Sequence, residues 1–190
     1  MNRWLLLCLG WVVCLSANVQ IKTPEAPKAP DAVQNLSGSH NLGAHTFEKI
    51  VSQGLLKLHN TTVTQSIRVN GTLIAQAARL SSLDLMGEAS LFDSIVSQPC
   101  SIVGTLRSQN TTFLGPLTLG AQKAFFSGSR VGAITVRKDL SYKGKQLIEL
   151  KQRTVVDGPI VFESGKGEVH VYPGSQVLGT VTGGKVVKKG

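Results

Sequence analysis

The residues best placed to do chemistry in this chain are three neighbouring carboxylates, Asp84, Glu88 and Asp93. Two carboxylates facing across a cleft cleave glycosidic bonds by general acid–base chemistry, and a larger oxygen set binds calcium. Gathered in one cleft, these three would act on an acidic polysaccharide. Spread over strand faces they would be ordinary solvated charges. The second arrangement is the expectation, because carboxylates are scarce: 11 Asp and Glu stand against 20 Lys and Arg. Cys100 is the sole cysteine beyond the N-terminal segment, so no internal disulfide framework is possible once that segment is removed. It is a candidate nucleophile, but a small side chain within a strand-like run is expected to be buried and inert. His40 and His45 have no Cys or carboxylate close by and are read as solvated loop residues, without a metal. His59 and His170 are the histidines left for a hydrolase triad; His170, between Val169 and Val171, is expected to point outward from a strand.

Sequence motifs add no catalytic machinery. Gly183-Gly-Lys185 lacks the strand–loop–helix setting of a phosphate loop, and no Gly-x-Ser-x-Gly elbow occurs. The isoleucine-led hexads of β-helical acyltransferases are not sustained. The expectation is therefore a protein that is not an enzyme, with no catalytic, cofactor-binding or metal-ligating residues and no cofactor. Four Asn-x-Ser/Thr sequons begin at Asn35, Asn60, Asn70 and Asn110. The phrases Asn60-Thr-Thr-Val63 and Asn110-Thr-Thr-Phe113 echo each other, which points to a repeat position favouring Asn in a turn or stack.

The elements that would carry these residues repeat. Glycines at 54, 71, 87, 104 and 120 recur every ~17 residues, the signature of a repeat architecture. An apolar residue follows four of them at a fixed distance: Val63, Leu80, Val96 and Phe113. Between the glycines apolar residues alternate, as at Ile67, Val69 and Leu73, which signals strands with one buried face. Leu73–Leu80 has helical propensity, but its Val- and Thr-rich neighbours place it in a strand and corner. The fold expected is all-β: a single-stranded parallel β-helix with coils of ~16–17 residues, each burying its inner face against the next. The alternative is a β-sandwich, although a hairpin-type Asn-Gly pair occurs only at Asn70-Gly71. The repeat weakens after Gly120 and returns over 146–184.

Residues 1–17, MNRWLLLCLGWVVCLSA, combine a positive start, a twelve-residue apolar run and small residues at the end. This is the plan of a secretory signal, and the run is shorter than the ~20 residues of a membrane span. An uncleaved anchor is the alternative. Residues 18–46 carry Pro24, Pro27 and Pro30 among charges and read as a flexible linker. The β-solenoid is expected over 47–184, and 185–190 form a basic tail. The formal charge of +9 suits an anionic glycan or cell-wall polymer. It lacks the dense basic run with interleaved aromatics of a nucleic-acid binder. No stable transmembrane span is expected after cleavage. The expected location is exported: periplasmic, envelope-associated or extracellular.

Val156-Asp-Gly-Pro-Ile-Val-Phe162 and Val169-His-Val-Tyr-Pro-Gly-Ser-Gln-Val-Leu-Gly-Thr-Val181 resemble the glycine-and-valine coils of bactofilins. The likeness spans roughly residues 54–184. It implies a small right-handed β-helix that stacks end to end into nucleotide-free filaments as a scaffold near the bacterial envelope. The export signal departs from that family, whose members are typically cytoplasmic. The expected function is an exported structural or scaffold protein of the cell envelope that self-assembles through the ends of its β-helix. A binding module for an anionic glycan or cell-wall polymer is the alternative, and a polysaccharide-active enzyme a third.

Overall fold

The computed structural model describes residues 31–138 and 144–190, and they form one parallel β-solenoid of about nine coils without a helix. The expected export signal and residues 18–30 of the expected linker lie outside the described residues.

Coils 1 to 4 are single bent strands: β1 (Gln34–Leu42), β2 (Thr46–His59), β3 (Thr62–Gln76) and β4 (Arg79–Phe92). Coil 5 divides into β5 (Ile95–Val96) and β6 (Cys100–Gln109). From there each coil has three strands. Coil 6 holds β7 (Thr112–Phe113), β8 (Leu117–Gly120) and β9 (Lys123–Ser127); coil 7 holds β10 (Arg130–Val131), β11 (Ile134–Val136) and β12 (Gln146–Lys151). Coil 8 holds β13 (Val155–Val156), β14 (Ile160–Phe162) and β15 (Gly167–Val171); coil 9 holds β16 (Gln176–Val177), β17 (Val181–Thr182) and β18 (Gly184–Lys188).

Successive coils pair in parallel register, so equivalent residues stack in columns about 4.8 Å apart. The inward columns build the core. One runs Phe47, Val63, Leu80, Val96, Phe113, Val131, Val156 and Val177. It contains the four apolar positions that the glycine spacing picks out. A single coil buries nothing by itself; coverage by the next coil makes Leu85, Ile102 and Leu119 inaccessible to water.

Glycine is indispensable along one column. Gly38, Gly54, Gly71, Gly87 and Gly104 lie in register at the bend of the long strands. Their φ angles lie between 96° and 136°, a region closed to other residues. A Cβ on Gly87 would also lie 1.9 Å from the carbonyl oxygen of Gly71. Gly120 falls outside this column: it pairs with Val103, and from coil 6 the bend is replaced by a break between strands.

A second corner uses left-handed backbone at Asn60, Ala77, Asp93, Asn110 and Gly128. This explains the echo of Asn60 and Asn110, since Asn tolerates that conformation better than most residues. Ala78 follows Ala77, but after the other corners the next residue turns a hydroxyl inward, and Ser94, Thr111, Ser129, Thr154 and Ser175 form a buried ladder. Each backbone N–H donates to the hydroxyl of the coil above: Ser94 to Thr111, Thr111 to Ser129, Ser129 to Thr154 and Thr154 to Ser175. The sequence separations along it are 17, 18, 25 and 21 residues. The repeat that fades after Gly120 in sequence therefore continues in space with longer coils.

Two sequence expectations need correction. The end of the segment read as linker is coil 1, because β1 pairs with β2 from Gln34↔Ile50 to Leu42↔Leu58. The basic tail is largely strand, since β18 pairs with β15 up to Val171↔Lys188. The lone Asn-Gly pair, Asn70-Gly71, continues β3 through the glycine bend.

Candidate functional site

The three carboxylates lie along coil 4 but do not share a cleft. Asp84 and Glu88 sit on either side of Gly87, separated by as much as about 13 Å of extended chain. Asp93 lies at the following left-handed corner. Each is engaged with a neighbouring coil: Asp84 with Arg68 at 3.1 Å, Glu88 with Arg107 at 3.9 Å, and Asp93 accepting from Asn110 Nδ2 at 3.1 Å. Among the described residues no three His, Cys, Asp or Glu side chains gather as a metal-binding group.

Cys100 is buried in the column between Leu83 and Leu117. Burial, aided by Asp84, pushes its thiol up to about 12, so the nucleophilic thiolate is suppressed. His40 lies on β1, its Nε2 2.9 Å from the Ser37 carbonyl, and is thus part of the solenoid. His45 packs edge-on against Phe47, with ring centroids 6.2 Å apart. His59 is exposed. His170 points away from the core, in register with Glu149, and its Nε2 lies 3.1 Å from Glu168.

Glu168 is the most heavily engaged carboxylate. Lys145 Nζ donates to it at 2.7 Å and Lys185 lies at 3.4 Å. The hydrogen bonds from Lys145 and His170 hold its carboxyl down at about 2.

Residue type and register together create a different feature on the third side of the solenoid. Two adjacent outward columns run Ser90–Arg107–Phe125–Glu149–His170 and Phe92–Gln109–Ser127–Lys151. Tyr172 extends the second, its amide donating to the Leu150 carbonyl. Among the described aromatics, Phe47, Phe113, Phe126 and Phe162 fill the core. The other three, Phe92, Phe125 and Tyr172, all stand in these two columns and are half-exposed. The Arg107 guanidinium lies 5.8 Å from the Phe125 ring centroid, and Lys151 Nζ lies 4.6 Å from that of Tyr172. Sequence reading missed this grouping, because the residues are far apart in the chain and align only through the unequal coil lengths.

The C-terminal end is the other feature that burial leaves unfinished. Val169, in coil 8, is 0% exposed, whereas Val186, next in the same inward column, is 45% exposed. Val171, Val177, Val181 and Val186 line an open depression of about 560 Å³ there. Strands β16, β17 and β18 pair only with β13, β14 and β15, so their outer edges have no partner among the described residues.

No protein-family model, curated protein or solved structure matches this chain. Among the described residues no helix is long and apolar enough to cross a membrane.

Proposed function

We propose that this chain is an exported scaffold component of the cell envelope that assembles through the ends of its coil. The observation that carries this reading is the C-terminal end itself. There, apolar inward side chains and a full row of strand-edge donors and acceptors face outward together. A further coil of the same kind would cover both. The bactofilin-like pattern of residues 54–184 supports the same reading, and residues 1–17 support export.

Charge favours one arrangement. Lys185, Lys188 and Lys189 belong to the last coil, and no carboxylate follows Glu168. Two such ends repel each other. At the opposite end, residues 31–45 contain no Lys or Arg. There, among the described residues, β1 pairs only with β2, with Leu36 and Leu42 half-buried against the core. A head-to-tail contact joins the two unlike ends, and repeating it builds an open filament.

Sedimentation velocity on the processed chain tests this. Association is expected to rise with protein concentration and to fall in Val186→Asp, which puts a charge on the apolar end. A chain that stays monomeric over a wide concentration range, with its β-sheet circular dichroism intact, removes the reading.

A further inference from the structure

The third side of the solenoid is remote from the coil ends in function, because it offers side chains where the ends offer backbone edges. Phe92, Arg107, Gln109, Phe125, Ser127 and Lys151 line a shallow groove of about 350 Å³ there. Its floor is low because Gln109 and Ser127 occupy the middle of one column, between Phe92 and Lys151. Aromatic faces and planar or cationic polar groups therefore alternate across a nearly flat surface. We propose that this groove binds an acidic polysaccharide, laid across the coils.

The assignment follows from matching chemistry. The C–H face of a pyranose ring is apolar and stacks on an aromatic ring, whereas its hydroxyls need donors and acceptors alongside. Phe92 and Phe125 supply the first, and Gln109 the second, with Ser127 adding an acceptor because its hydroxyl proton is donated to Gln152 Oε1. A uronate or sulfate on the sugar needs a cation at the rim. Arg107 and Lys151 stand two coils apart along the axis, about 9.6 Å, and two residues apart across it, about 6.7 Å, so their backbones are about 12 Å apart. Two cations at that separation suit an extended chain that carries charge along its length. Arg107 and Lys151 each have a carboxylate beside them, Glu88 at 3.9 Å and Glu149 at 2.7 Å, so these two cations leave the groove itself balanced, and a ligand anion engages them by competing with surface ion pairs of small worth. Lys123, one column away from Phe125, has no ion-pair partner among the described residues. Over the whole face Arg107, Lys123, Lys145, Lys151 and Lys185 stand against Glu88, Glu149 and Glu168, a surplus of two positive charges, so the face favours an acidic glycan over a neutral one.

A folding role does not require this arrangement. Aromatic side chains needed for stability are the four in the core, while these three leave part of each ring in water. The cations over Phe125 and Tyr172 hold the rings in place and stay accessible themselves: Arg107 is 66% exposed and Lys151 45%.

Fluorescence anisotropy with labelled oligogalacturonate tests the proposal on the full chain. Saturable, salt-sensitive binding is expected, weakened about tenfold or more in Phe92→Ala/Phe125→Ala and in Arg107→Gln/Lys151→Gln. The charge-matched control Arg68→Gln/Arg130→Gln, on other sides of the solenoid, is expected to bind like the parent. All three variants alter outward side chains, so circular dichroism is expected to show the parent fold. No binding by the parent overturns the proposal, as does equal loss in the control. Preference for a neutral dextran or a single-stranded oligonucleotide overturns it too, since both offer stacking faces without the same fit. Sedimentation on the same samples reads self-association separately, so failure here and failure of the scaffold reading are distinguishable.

Discussion

Replacing Gly87 with alanine is expected to damage the solenoid more than any exposed substitution of similar size. Two effects combine. The φ of 135° is available to glycine alone, and forcing another residue there costs about 1–3 kcal/mol. In addition, the new Cβ would lie 1.9 Å from the Gly71 carbonyl oxygen, far inside contact distance. Coils 3 and 4 must then separate locally, giving up one or two inter-coil hydrogen bonds at about 0.5–1.5 kcal/mol each. The sum is about 1.5–6 kcal/mol, or a fall in melting temperature of roughly 3–24 °C for a chain this long. Differential scanning calorimetry measures it, with two controls that separate the effects. Gly38→Ala meets the strained φ of 96° but nothing within 4 Å, so it is expected to show the smaller, strain-only loss. Gly43→Ala meets neither and is expected to melt with the parent. If Gly87→Ala melts no lower than Gly43→Ala, the glycine stack is not a structural requirement and the reasoning fails.

Two further outcomes follow from the buried ladder and the charged cluster. Thr154 Oγ1 accepts from the Ser129 amide at 3.3 Å and donates to the Lys151 carbonyl at 2.6 Å, fully buried. Thr154→Val keeps the volume but orphans that amide, so a loss of about 1–3 kcal/mol is expected in chemical unfolding, and no loss in the outward-facing Thr112→Val. Glu168 titrates near 2 when folded and at 4.5 in its ordinary state. Its folded value is depressed, so its contribution is present above pH 4.5 and disappears as pH falls toward 2. Glu168→Gln is therefore expected to melt below the parent at pH 6 and alongside it near pH 2, and parallel melting profiles would contradict this.

The first half of the fold is legible in sequence because one physical requirement recurs at nearly constant spacing. Each of coils 2 to 5 needs a glycine where its strand bends over the coil before. Gly54, Gly71, Gly87 and Gly104 declare that need directly, and Val63, Leu80, Val96 and Phe113 supply the matching core column. Coil 1 shares the bend at Gly38, again with positive φ but with nothing within 4 Å of an added Cβ, and its sequence is disguised. Polar residues occupy most of Gln34–Leu42, where among the described residues only β2 lies alongside to bury side chains. Composition therefore reads as linker where register makes a strand.

The grooved face was illegible for a different reason, and that reason says something about how such a chain can change. Its columns join Arg107 to Phe125 and Phe125 to Glu149, although the second step spans an insertion between β11 and β12. Gln146, buried at the start of β12, donates through Nε2 to the carbonyls of Arg137 at 2.7 Å and Ala121 at 3.2 Å, which ties the start of β12 to the residue that follows β11. Strand β12 then resumes the register of β9 as though nothing had intervened, from Leu147↔Lys123 to Lys151↔Ser127. What the stack conserves is pairing between neighbouring coils, and chain length is absorbed at corners where the backbone is already free to turn. A period measured on coils 2 to 5 consequently misplaces every outward residue beyond coil 6, even though those residues remain aligned in space. Surface chemistry on such a solenoid belongs to columns, and a column becomes visible only after the unequal coils have been laid one on another.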